Sequence, residues 1–169
     1  MSKKSPALRG ASTTDEQLQQ IREAGKLLDS ASHQLRVLLS TFAQDDCSAR
    51  LETPDILRSV IAIQDTLSAV TEPLFVNGTG PAWTFASRQL GRVYGAFGAI
   101  CLTRHALATN SDIEGRDSAG NPVTSSPVVD TLELVQEKID TVLAAVNRFT
   151  SSPKAAKLKL VHLLQAVQS

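Results

Sequence analysis

The sequence predicts an all-α domain, and three observations carry that prediction. Apolar residues recur at steps of three and four along most of the 169-residue chain. Prolines stand at 54, 81, 127 and 153, first-turn positions where a missing amide costs a helix nothing. No run alternates apolar and polar residues with period two over the length of a strand. The expected architecture is an antiparallel bundle of about five helices around a central helix rich in glycine and aromatic residues.

The elements follow in order. Residues 1–13 are polar and basic and read as a flexible tail, with residues 14–169 as one helical-bundle domain. A first helix starts at Thr14, where Thr14-Asp15-Glu16-Gln17 has the form of a capping box. Its stripe is Leu18, Ile21, Gly25, Leu28, Ser32, Leu35, Leu39 and Phe42, apolar at six of eight positions. A second helix follows Thr53-Pro54 with the stripe Ile56, Val60, Ile63, Leu67 and Val70, and Pro73 closes it. Asn77-Gly78-Thr79-Gly80 is a turn leading to a third helix from Pro81 to about Ala108. A polar loop occupies about 109–126. The fourth helix opens at Ser126-Pro127 and carries Val128, Leu132, Val135, Ile139, Val142, Val146 and Phe149. A fifth opens at Ser152-Pro153 with Ala156, Leu160, Leu163 and Val167.

Composition bounds the class. Hydrophobic residues make up 42% and charged residues 20%, a globular balance. Aromatics are only 4%, so the core must be aliphatic. The formal net charge of zero conceals blocks. The third helix and its flanks hold Arg88, Arg92 and Arg104 and no carboxylate from residue 73 to 111, whereas 15–72 and 112–140 are acidic. Such blocks can attract within the fold, pair head-to-tail between copies, or offer a basic face to an anion. Cys47 and Cys101 form no disulfide framework or metal motif, and no secretory signal or membrane-length apolar run is present, so a cytoplasmic or other reducing compartment is expected.

The third helix departs from the simple amphipathic pattern. Its segment holds Phe75, Trp83, Phe85, Tyr94 and Phe97, and its interior holds Gly91, Gly95 and Gly98. A glycine inside a helix costs roughly 0.5–1 kcal/mol relative to alanine, so three together call for a reason. Ser87, Gly91, Gly95 and Ala99 recur every four residues with Gly98 beside them, a smooth strip suited to close approach of another backbone. Packing against the first or fourth helix is the expectation, and Gly95→Leu should then overpack the contact. Trp83, Phe85, Tyr94 and Phe97 are the candidate aromatic contacts. Arg88 and Arg92 lie one turn apart, and with Arg104 they form a candidate contact for an anion or a protein partner. Ion pairing with the acidic helices is the competing use. The end of a helix also favours the positive charge of Arg104 and His105.

No catalytic constellation emerges. His33, His105 and His162 are scattered, and Asp112, Glu114 and Asp117 lack the closing glutamate of a calcium loop, with Val123 in its place. Ile113-Glu114-Gly115-Arg116 matches a protease site used in engineering, read here as chance. There is no phosphate loop or nucleophile elbow, and neither a metal nor a cofactor is expected. Arg88-Gln89-Leu90-Gly91-Arg92-Val93-Tyr94-Gly95 resembles a segment of the coat proteins of flexuous filamentous plant viruses. The resemblance covers eight residues, and the Phe-Asp-rich segment those proteins carry downstream is missing. It implies a helical protein that binds RNA in a basic groove. Two functions follow as expectations: a non-enzymatic bundle acting through protein–protein contact or self-assembly, and an RNA- or ssDNA-binding assembly protein using Arg88 and Arg92 on phosphates.

Overall fold

A computed structural model of the chain describes residues 13–42, 53–109 and 127–152. Among these residues the fold is helical without strands: α1 (Asp15–Phe42), α2 (Thr53–Leu74), α3 (Pro81–Ala108) and α4 (Pro127–Thr150). The expected basic tail, most of the 109–126 loop and the fifth helix lie outside the described residues.

Local chemistry sets the helix starts. At α1 the Thr14 amide donates to Gln17 Oε1 at 3.0 Å, and the Gln17 amide donates to Thr14 Oγ1 at 3.2 Å. This is the reciprocal capping box. Gln17 does a second job, its Nε2 donating to the Asn77 carbonyl at 2.9 Å and tying the start of α1 to the α2–α3 turn. In that turn Gly78 and Gly80 have φ of 105° and 104°, which a side chain would strain. Pro73 sits inside the last turn of α2, and the helix runs one residue beyond it to Leu74.

The four helices pack in a square: α1 on α2, α2 on α3, α3 on α4 and α4 on α1, with little contact across the α1–α3 diagonal. Neighbours run antiparallel. Gln34 meets Thr66 between α1 and α2, Gln64 meets Arg104 between α2 and α3, and Phe85 meets Phe149 between α3 and α4. Each helix turns one stripe inward, and Ile21, Leu28, Leu35, Ile63, Leu67, Ile100, Leu132 and Ile139 are all almost fully buried. That aliphatic core is the main favourable term holding the bundle together.

The two off-pattern positions of the α1 stripe both serve the seam with α4. Gly25 is buried, and a Cβ there would come within 3.0 Å of Val146 Cγ1, so its bareness lets the two helices close up. Ser32 is buried and donates to Asp140 Oδ1 at 2.8 Å. Gln136 Nε2 donates to the same Ser32 hydroxyl at 2.8 Å, and Arg36 Nη2 reaches both Asp140 oxygens at 3.0 and 3.1 Å. Burial raises the Asp140 pKa, but hydrogen bonds from Gln136, Ser32 and Arg36, with the Arg36 charge, outweigh it and hold the carboxyl below its ordinary range.

The expectation of a central α3 does not survive this arrangement. α3 is one corner of the square, because its buried residues form a single stripe no wider than those of its neighbours. They are Ala82, Ala86, Gln89, Val93, Ala96, Ile100, Thr103 and Leu107, at an unbroken four-three spacing. Of the apolar and small residues on its other sides, Phe85, Leu90, Phe97 and Ala99 pack half-buried against the core, while Trp83, Ser87, Gly91, Tyr94, Gly95, Gly98 and Leu102 face outward.

Candidate functional site

Among the described residues, α3 carries three of the six large apolar side chains that remain exposed. Exposed large apolar side chains among the described residues are Val37, Phe75, Trp83, Tyr94, Leu102 and Leu134. Trp83, Tyr94 and Leu102 stand on α3, and Phe75 lies in the segment leading to it. Leu134 faces α3 from α4 across a shared groove. Leu102 is the most exposed of the six, at 71%.

The predicted strip of small residues lies on this surface. Gly91, Gly95, Gly98 and Ser87 are exposed, Ala99 is half-buried, and nothing lies within 4 Å of a Cβ built at any of the three glycines. Among the described residues, then, the strip makes no close helix contact. The glycine that does so is Gly25 of α1, which the sequence pattern presented merely as a gap in an apolar stripe. Repetition drew attention to α3, whereas an isolated glycine at a buried stripe position was the available signal.

Gly91 and Gly95 instead form one wall of a groove of about 410 Å³ between α3 and α4. Arg92 lines it from α3, and Leu134, Glu137, Lys138 and Thr141 line it from α4. The glycines keep this wall low, since no side chain rises from either position.

The arginines do not pair with the acidic helices. Arg92 Nη1 donates to Gln89 Oε1 at 3.1 Å and Arg104 Nη1 to Gln64 Oε1 at 3.2 Å, both neutral acceptors. Arg88 makes no hydrogen bond or ion pair among the described residues. The ion pairs found there are Lys26–Glu23, Arg36–Asp140 and Arg58–Asp55. Among the described residues, no carboxylate contacts any of these three guanidinium groups.

The four aromatic candidates divide. Phe85 stacks on Phe149 with ring centroids 4.2 Å apart and planes at 14°, closing the α3–α4 seam. Phe97 packs half-buried against the core. Trp83 and Tyr94 remain at the surface. Thus two of the four are packing residues, and two are free for contact.

No group of three or more His, Cys, Asp or Glu side chains suited to a metal occurs among the described residues. Nor is any described helix long and apolar enough to cross a membrane. The described residues form an all-helical bundle whose α3 carries exposed apolar side chains and arginines on its outer surface. Comparison with protein-family models, with curated proteins and with solved structures found no match.

Proposed function

We propose that the chain is a non-enzymatic helical-bundle protein that acts by protein–protein contact or self-assembly through the outer face of α3. The observation that carries this reading is the gathering of Trp83, Tyr94, Leu102 and Leu134 at the surface of α3 and its groove with α4. Apolar side chains clustered beside unpaired cations are what a partner surface presents. Bare glycines in a helix cost stability, and a partner that approaches their backbone offsets that cost.

Sedimentation velocity of the full chain and of a Gly95→Leu variant tests the reading. Wild-type protein is expected to associate as concentration rises. The variant should fold normally, because its leucine enters open space, and should associate at least tenfold more weakly. Equal association of the two would remove α3 as the contact surface.

A second reading is favoured by Arg88 and Arg92, which have no carboxylate partner among the described residues: RNA or single-stranded DNA held through its phosphates. Its mark is a gel shift that weakens steeply with salt, with a shallower salt slope in Arg88→Ala/Arg92→Ala. A shift absent at low salt removes it.

A further inference from the structure

Resting on the self-assembly reading, we infer that the occupant of the α3–α4 face is the α1–α2 edge of a second copy of this chain. Charge points to that edge. Arg92 lines the α3–α4 groove with Arg88 one turn before it, α3 carries no acidic residue, and Lys138 adds a cation on the far wall of the groove, where Glu137 is the one carboxylate lining it. α2 bears Asp55, Asp65 and Glu72 against a single arginine, Arg58, which Asp55 already holds at 2.7 Å. Asp65 and Glu72 are exposed and make no ion pair or hydrogen bond among the described residues. They lie two turns apart on one side of α2, so the unpaired anions form a row as the unpaired cations do.

Apolar content matches as well. Glu72 borders a shallow groove between α1 and α2 lined by Leu27, Ala69 and Pro73. Leu27 and Pro73 are half-buried there and stand where they can pack against Leu134, Tyr94 or the low glycine wall of the other copy. Across the square, the α1–α2 seam is opposite the α3–α4 seam. Two different surfaces on opposite sides of one molecule make a head-to-tail contact, which leaves a free surface at each end. Growth therefore continues past the dimer.

Charge exchange tests this directly. One variant carries Arg88→Glu and Arg92→Glu, and the other carries Asp65→Lys and Glu72→Lys. Each alone opposes like charges and should sediment as monomer at concentrations where wild-type protein forms a ladder beyond dimer. Mixed in equal amounts, the two restore complementarity at every contact and should assemble again, with a strength that falls as salt is raised. Should the double arginine variant lose its fold with the Arg92–Gln89 bond, Arg88→Glu alone keeps that bond and gives the same comparison. Wild-type association that stops at dimer would overturn the inference, as would variants that assemble alone or a mixture that stays monomeric. If Gly95→Leu still blocks association in those cases, the α3 face stands as a contact surface and only its occupant is wrong. Wild-type protein that never associates removes self-assembly altogether. Wild-type assemblies that carry nucleic acid by their 260 nm absorbance, and fall to monomer on nuclease treatment, would assign the cations to phosphate instead.

Discussion

Asp140 shows how one side chain can be held charged at a helix seam. Its carboxylate takes hydrogen bonds from Ser32 and Arg36 across the α1–α4 boundary. Its folded pKa is depressed below the ordinary 3.8, so the unfolded chain binds the proton more readily. The resulting stability is fully present above the ordinary carboxylate value and is lost as pH falls through the folded value. Urea unfolding from about pH 7 to about pH 2 should therefore lose stability more steeply in wild type than in Asp140→Asn. Parallel curves would show that the seam does not depend on this charge. Ser32→Ala, which removes one buried hydroxyl from the same network, should cost about 1 kcal/mol. Gly25 makes the complementary point about space. Gly25→Leu must drive a branched side chain into Val146, so a loss of at least ~1–3 kcal/mol is expected in thermal or urea unfolding. Unchanged stability would mean that α1 and α4 can separate freely.

At the scale of the element, the α1 capping box and the α3 strip have opposite consequences. Thr14→Ala leaves the Gln17 amide without its acceptor and should lower stability by about 1 kcal/mol. Replacing Gly91, Gly95 or Gly98 by alanine should instead stabilise the isolated bundle by roughly 0.5–1 kcal/mol each. Each gains helix propensity and meets no neighbour. Melting curves at low concentration, where association is absent, separate these effects from any contact between copies. Destabilisation by Gly95→Ala would place a neighbour where the structure has none. The sequence pattern of α3 gives its ends, Pro81 and Ala108, but not which way its small-residue side turns. Small residues repeating every four positions specify a smooth helical side; they do not specify whether that side turns toward the core or toward solvent.

For the whole molecule, the square arrangement places the α3–α4 face and the acidic α1–α2 edge on opposite sides. Association between them should weaken when salt rises from about 0.05 M to about 0.5 M, because exposed charges are screened over shorter distances. Association that strengthens over this range would instead mark a purely apolar contact. The helices themselves were legible in the chain. The stripes of α2 and α4 appear in the core at the positions their spacing gives, and Thr14, Pro54, Pro81 and Pro127 mark helix starts. These are local properties, governed by spacing along one helix and by hydrogen bonds within a few residues. The surroundings of α3 were not legible, because what its glycines, arginines and aromatics meet depends on which neighbours lie beside them. The sequence by itself determined that the chain folds as helices, where the four described ones begin, and which stripe of α1, α2 and α4 is apolar. Only the tertiary structure decided that α3 is a corner helix, that Gly25 is the close contact with α4, and that the Gly91–Gly98 strip faces outward. Periodicity fixes what one helix must bury, but the partner each side meets is set by how four helices share one core.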